Sequence, residues 1–306
     1  MYIDDGLYRK ILEKKKQLDS LRPLPKEALA RLKKEFEIEW TYNSNAIEGN
    51  TLSLGETRLV IERGITVGGK SLREHLEAKN HIEAIRLLED IVKKKEPLKE
   101  FTIHLLHGTI MKGIGEAGRF RQTQVRIGGA IFQPPLPSEI PRFIGEYISY
   151  INKNPDNLNP VELAALAHYR LVYIHPYADG NGRVARLLMN LFLMQRGFPP
   201  AVILNAERKR YLAYLMEADK GNLAPFVGFV AKSVNRSLSL YLNALKKKPA
   251  KEDVFIPLRD ATKFCRYSQE YLSFLARRGK LDSIKFGRNW FTTEKAIKEY
   301  LAEKKK

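Results

Sequence analysis

The sequence predicts a mainly α-helical chain with one small β-hairpin and a small C-terminal module of different texture. Three observations predict it. Apolar residues recur at helical spacing through most of positions 7–245. Thr123 to Gly129 alternates polar and apolar residues and then reaches Gly-Gly, as a short hairpin does. A lysine-rich run around Pro249 then separates a final segment with its own short helix and strand patterns.

In order, residues 7–40 read as charged helix with periodic Leu and Ile, broken at Pro23 and Pro25. Small polar residues follow from Thr41 to Asn50. Helices are expected over 57–62, 71–92 and 101–111, with Gly64, Gly68 and Gly69 in the first connection. After the hairpin, Pro134, Pro135 and Pro137 stop extended structure, and helices resume at 138–153 and 160–174. Leu187 to Gln195 is apolar almost all round, as a helix buried on every side would be. Further helices reach about Leu245. The predicted division is 1–95, an N-terminal helical region; 96–245, a core; 246–252, a linker; and 253–306, the terminal module.

The chain has 306 residues, 44% hydrophobic and 29% charged, within the range of folded globular proteins. Its net charge of +18 points to contact with nucleotide, nucleic acid or acidic protein surfaces, or to a lysine-rich solvated exterior. The single cysteine, Cys265, excludes an internal disulfide and reads as a small core residue. No secretory signal is visible at Met1 to Asp5. The most apolar stretch, Leu187 to Met194, is interrupted by Asn190 and too short to span a bilayer. A cytoplasmic protein without membrane contact is expected.

The informative stretch is His175-Pro176-Tyr177-Ala178-Asp179-Gly180-Asn181-Gly182-Arg183-Val184-Ala185-Arg186. An apolar helix ends at His175, and Pro176 prevents its smooth continuation. Gly180, Asn181 and Gly182 make a tight turn that opens the next helix. Such a turn aims several backbone N–H groups at one spot, where the helix N-terminus adds positive potential, so it suits a polyphosphate. Arg183 and Arg186 share a helix face and offer forked donors to the same anion. Asp179 beside phosphates is a natural ligand for Mg²⁺, which takes one or two carboxylates plus phosphate oxygens. His175 titrates near neutral pH and suits a general base. Each residue alone has an ordinary structural reading; their convergence on twelve consecutive positions gives the stretch its specificity.

At these residues the chain resembles the Fic family, whose signature is His-Pro-Phe-x-Asp/Glu-Gly-Asn-Gly-Arg-x-x-Arg. Tyr177 replaces the usual Phe. The likeness runs from about Ser44 to Ala231 and includes Glu116 to Arg121 and Ala165 to Tyr169. In its core the chain is most like the animal endoplasmic-reticulum members. It departs from them in showing no signal, anchor or tetratricopeptide repeats, so their chaperone specificity does not carry over. The resemblance implies a helical Fic fold with a hairpin flap, and transfer of AMP from Mg-ATP to Ser, Thr or Tyr hydroxyls of target proteins. It implies that His175 deprotonates the hydroxyl, Asp179 holds Mg²⁺, Gly180, Asn181 and Gly182 bind the α- and β-phosphates, and Arg183 and Arg186 complete the triphosphate site. Val125-Arg126-Ile127-Gly128 matches the flap, whose free edge would pair with an extended target segment. Tyr211, Leu212 and Asp219 fall where relatives contact the nucleoside, with Asp219 replacing a common Asn.

Ser44-Asn45-Ala46-Ile47-Glu48-Gly49 resembles the family's inhibitory motif, Ser/Thr-x-x-x-Glu-Gly/Asn. The resemblance implies that Glu48 pairs with Arg186 and removes a γ-phosphate partner. A plain helix C-cap at Glu48, with Gly49 in a left-handed turn, is the structural alternative. In some relatives this glutamate also serves removal of AMP.

Residues 253–306 resemble excisionase- or MerR-type winged helix-turn-helix modules through Ala261, Tyr271-Leu272, Arg277 to Leu281, Lys285 to Trp290 and Tyr300-Leu301. DNA contact is then expected at Arg266, Gln269, Arg277, Arg278, Lys285 and Arg288. Tyr271 and Trp290 are candidate core residues, and basic winged helices also serve as protein docks. The expected partners are ATP, target proteins, DNA and a second copy of the chain. The competing reading is a DNA-binding regulator that uses the Fic domain as a nucleotide sensor. The complete His175, Asp179 and Arg186 set favours an enzyme, because a sensor needs no base.

Overall fold

The computed structural model describes residues 2–128, 132–245, 254–286 and 289–303. The larger body contains α1 (Asp5–Ser20), α2 (Lys26–Ile47), α3 (Leu54–Arg63), α4 (Leu72–Lys94), α5 (Glu100–Ile110), α6 (Ile140–Lys153), α7 (Pro160–Ile174), α8 (Asn181–Gln195), α9 (Arg208–Asp219) and α10 (Ala224–Leu245). Local chemistry sets many ends. Ser53 with Glu56 and Ser71 with Glu74 form reciprocal capping boxes on α3 and α4. Asn159 accepts from the N–H groups of Val161 and Glu162, and Pro160 occupies the first turn of α7.

Helix α8 lies at the centre of the core. Its residues from Val184 to Leu193 are buried without a break, against α7, α4 and α5. Asn190, the polar residue within that run, exchanges two hydrogen bonds with the Ala201 backbone at 2.7 and 3.1 Å. A fully buried Leu contributes roughly 1.5–3 kcal/mol, so the leucines of α8 fix its axis firmly. That axis fixes where the helix N-terminus, at Asn181, points.

The small polar stretch at 41–50 is mostly the last turns of α2. Ser44 and Asn45 are buried there, beside Trp40 and Ile47. The expected hairpin at Val125–Gly128 is not a hydrogen-bonded ladder among the described residues; Gly129 lies outside them. Val125 and Ile127 are half-buried while Arg126 and Gly128 are exposed, so the alternation marks a single extended segment. Pro134 and Pro135 have no N–H to give a ladder. Side chains hold the loop instead: Gln124 Nε2 donates to the Pro134 carbonyl at 2.9 Å, and Arg121 Nη2 to the Pro135 carbonyl at 2.6 Å.

The C-terminal module contains β1 (Ile256–Pro257), α11 (Leu258–Ala261) with a following 3₁₀ turn, α12 (Gln269–Arg277), β2 (Ser283–Phe286), β3 (Asn289–Thr292) and α13 (Glu294–Glu303). The sheet is antiparallel in the order β1-β3-β2, with Ile284 opposite Phe291. Leu258, Leu272, Leu275, Leu281 and Ile297 form a core separate from that of the body. Tyr271 is at the surface rather than in this core, and Cys265 is half-buried. The module meets α1 through Lys14–Asp282 at 2.6 Å and Lys10–Glu303 at 3.1 Å. The predicted linker at 246–252 lies outside the described residues. No helix of the described residues is long and apolar enough to cross a membrane.

Candidate active site

The turn between α7 and α8 is built around His175. This residue ends α7 in the left-handed conformation, at φ +50° and ψ +57°, a strained region for a non-glycine residue. Arg121 holds it there. The Arg121 Nε donates to the His175 carbonyl at 2.8 Å, Nη1 donates to the Thr123 carbonyl at 2.9 Å, and the Arg121 N–H donates to the Pro176 carbonyl at 3.0 Å. One buried guanidinium thus joins the loop to the base of the flap. The His175 Nδ1 lies 3.3 Å from the Val172 carbonyl. That carbonyl can only accept, so Nδ1 carries the proton and Nε2 keeps its lone pair. Desolvation lowers the His175 pKa, with Arg121 adding to the effect, so the ring is neutral at pH 7.

Tyr177, the departure from the Fic signature, is fully buried and its hydroxyl is 3.1 Å from His104 Nδ1. Its ring stacks on His107 with centroids 3.5 Å apart. His107 accepts from the Gly118 N–H at Nδ1 and faces the Asp179 carbonyl with Nε2 at 3.0 Å. Burial lowers the His107 pKa to about 4, which keeps this bracket uncharged. The Asn181 side chain closes the turn, accepting from the Tyr177 N–H at 2.9 Å and donating to the Tyr177 carbonyl at 2.7 Å. Both ends of the amide thus hold the loop, and the Asn181 backbone N–H belongs to the first turn of α8. Gly180 sits at φ +80° against Met111 and Ile110, so a side chain there would be strained and crowded.

The two motif arginines separate. Arg183 turns toward α4, with Nη1 3.4 Å from Glu77 and Nη2 3.3 Å from Asp179. It supports the Asp179 carboxylate, whereas Arg186 turns to α2. Arg73, which the motif reading missed, also pairs with Asp179. Burial raises the Asp179 pKa, but Arg183, the Gly180 N–H and Arg73 outweigh it and the net shift is downward. Asp179 is thus an ionised, half-exposed carboxylate at the loop. Among the described residues no group of three or more His, Cys, Asp or Glu side chains gathers to hold a metal. A single ionised carboxylate fits Mg²⁺ that draws its remaining ligands from phosphates and water, and does not fit an all-protein cage.

Arg186 is buried and meets α2. Its Nη2 is 2.7 Å from Glu48 Oε1 and donates to the Ser44 carbonyl at 2.7 Å, while Nε donates to Ser44 Oγ at 3.0 Å. Burial opposes the charge, but Glu48 and Tyr211 outweigh it and raise the Arg186 pKa. Glu48 is also the C-cap of α2, and Gly49 follows at φ +104°. Glu48 therefore both caps α2 and pairs with Arg186. A Cβ at Gly182 would lie 2.3 Å from Glu48 Oε1. The Glu48 carboxylate thus occupies the first turn of α8, the position the helix N-terminus makes favourable for an anion.

Of the nucleoside candidates, Tyr211 is buried, with its hydroxyl 3.0 Å from His168 Nε2 and 3.5 Å from Arg186 Nη1. Leu212 is exposed, and Asp219 faces the Tyr169 hydroxyl at 3.3 Å. Tyr211 alone of the three touches the arginine cluster. The expected DNA contacts also divide. Arg266 and Gln269 are exposed before and at the start of α12, and Lys285 lies 5.6 Å over the Trp290 ring. Arg277 and Arg278 stand at the opposite end of α12, and Arg288 lies outside the described residues.

The fold and sequence have known counterparts. Residues 97–193 match the Fic/DOC family. A Fic-domain signalling protein from Bacteroides thetaiotaomicron superposes with a TM-score of 0.74 at 35% identity, over 79% of this chain and 99% of that one. The chain belongs to the Fic/DOC family. A protein adenylyltransferase Fic from Nematostella vectensis is 38% identical over 263 residues, 85% of this chain. The chain spans 61% of that relative's own length. A Fic family protein from Desulfovibrio desulfuricans, 21% identical, shares the fold over 95% of this chain with a TM-score of 0.66. In this Fic chain the signature loop forms the N-terminal approach to α8, and residues of α2, α4 and α5 surround it.

Proposed function

We propose that this chain is a protein adenylyltransferase restrained by its own glutamate. The observation that carries the proposal is the Glu48 carboxylate lying on Arg186 and over Gly182, at the anion position of α8. ATP would enter with its phosphates at the α8 N-terminus, using the backbone N–H groups of the Gly180–Gly182 turn. Asp179 would hold Mg²⁺, which when bound neutralises phosphate charge. A target segment would pair with the extended edge at Val125–Gly128 and present a Ser, Thr or Tyr hydroxyl. His175 Nε2 takes the hydroxyl proton as the oxygen forms its bond to the α-phosphorus. The bond from that phosphorus to the bridging oxygen breaks, and pyrophosphate leaves. Arg121 keeps His175 in place, and burial keeps its imidazole neutral for this task.

While Glu48 holds Arg186, that arginine is unavailable to a γ-phosphate and a carboxylate repels the triphosphate. ATP then binds in a pose unsuited to in-line attack. Displacing Glu48 would turn the enzyme on. The same glutamate, beside the site, could also orient water for removal of AMP.

The strand-helix-helix-strand-strand-helix order and the exposed Arg266 and Gln269 support a winged helix-turn-helix that contacts DNA from the N-terminal end of α12. A cytoplasmic location and a homodimer belong to the same proposal.

The test is incubation of cell lysate with the full chain and ATP labelled at the α- or γ-phosphate. Protein labelling from the α-label alone, stronger with Glu48→Gly, is the expected result. Labelling from the γ-label would identify a kinase instead, and none from either would leave the sensor reading.

A further inference from the structure

A cavity of about 700 Å³ lies between α9 and α10 of the body and the C-terminal module, away from the signature loop. Its size is that of a small-molecule site. Four acidic side chains line it, and each is already engaged. Glu207 pairs with Arg210 at 3.4 Å and with Arg236 at 3.3 Å. Asp282 pairs with Lys14 and Glu303 with Lys10. The Asp4 carboxylate accepts from the Leu7 N–H at 3.0 Å and caps α1.

Cations remain over. Lys232, Arg277 and Lys280 line the same cavity and form no ion pair among the described residues. Lys232 Nζ has only the Arg278 carbonyl, at 3.5 Å. Its walls desolvate it and Arg210 repels it; Glu207 and Asp4 attract it, but the net shift of its pKa is downward. Cations left over once the carboxylates of a cleft are engaged are stabilised by an anion. The cavity is also lined by aromatic side chains. Trp290 of β3 lies on the module side and Tyr214 of α9 on the body side. Aromatic faces beside a cationic cluster suit a planar ring that carries phosphate.

We propose that this cleft is a second nucleotide site, distinct from the catalytic loop, in which Lys232, Arg277 and Lys280 hold the phosphates and Trp290 and Tyr214 flank the base. It joins the two units of the chain, so a bound nucleotide would fasten the module to the body. The cleft wall at Glu207 is followed in sequence by Arg208, whose Nε donates to the Ile47 carbonyl at 2.6 Å, next to Glu48.

The test uses the full chain and ADP as probe, followed by tryptophan fluorescence and calorimetry. The expected result is a saturable change in emission that Trp290→Phe diminishes. A Lys232→Gln/Lys280→Gln double variant should bind at this site about tenfold more weakly, because two charge-assisted contacts are lost. In calorimetry it should lose one of two ADP sites and keep the other. Inorganic pyrophosphate, with charge but no ring, should compete more weakly than ADP. A double variant that titrates like the wild type overturns the site. A signal of unchanged size in natively folded Trp290→Phe overturns it as well. Equal competition by pyrophosphate overturns the nucleotide assignment.

Discussion

Arg186 Nη2 and Glu48 Oε1 stand 2.7 Å apart, joining residues 138 positions distant in the chain. The pair is unsymmetrical: Arg186 is buried, whereas the Glu48 side chain keeps 40% of its exposure. The arginine is fixed on three sides by Ser44 and Glu48, while the carboxylate has an open side toward solvent. Glu48 is therefore the more accessible partner, and under the proposed restraint it is the one that would leave.

Removing the base should stop transfer while leaving nucleotide binding largely intact. His175→Ala is expected to lose protein labelling from α-labelled ATP, because the proposed role of His175 is on the target hydroxyl and not on the triphosphate. A calorimetric titration of ATP should change little. Full labelling by this variant would remove His175 from the assigned role.

The pH dependence has a definite sign. His175 must be neutral to accept a proton, and burial holds its pKa below the usual value of about 6.5. Transfer should therefore be flat around pH 7 and fall only as the pH drops through that lowered pKa. A profile of kcat/KM that still rises steeply above pH 7 would mean another group is the base.

Asp179→Ala should cripple transfer and leave little response to added Mg²⁺. The effect should exceed that of Arg73→Ala, which removes only one of the cations that pair with the carboxylate. Mg²⁺ titrations of the three proteins make the comparison. An unchanged curve for Asp179→Ala would place the metal ligand elsewhere.

Arg121→Ala should lower stability by about 2–4 kcal/mol, since it strips donors from several partly buried carbonyls at once. Urea unfolding measures this. Activity should fall more than stability accounts for, because His175 loses the contact that holds its strained backbone. A variant with wild-type stability and activity would contradict the clamp.

The catalytic loop was legible because its residues are consecutive. A proline, two glycines and two arginines at helical spacing specify a turn, an anion position and a following helix without long-range information. Glu48 was legible only through the family motif, since nothing local ties it to Arg186. Arg121 gave little signal of its own because its partners are backbone carbonyls, which any sequence supplies. Arg73 was hidden for a different reason: it meets Asp179 only after α4 packs beside α8. The hairpin expectation rested on alternation, and among the described residues Val125 to Gly128 have no partner strand. Val125 and Ile127 do alternate in burial with their neighbours, but alternation identifies an extended segment and not its partner strand. The different partners of the two motif arginines were not legible either, because a shared helix face still lets one guanidinium turn to Glu77 and the other to Glu48.

The central claim is that Glu48 restrains the site through Arg186, and self-labelling of Glu48→Gly with α-labelled ATP tests it most directly. A charge-assisted pair of this kind contributes about 1.5–3 kcal/mol, so its loss should raise the initial rate by roughly one to two orders of magnitude. Arg186→Ala should not mimic the activation, and the double variant should remain as slow as Arg186→Ala, because the anchor of the brake is also the partner of the phosphate. Equal rates for Glu48→Gly and wild type across a range of ATP concentrations would contradict the account and leave Glu48 as the C-cap of α2.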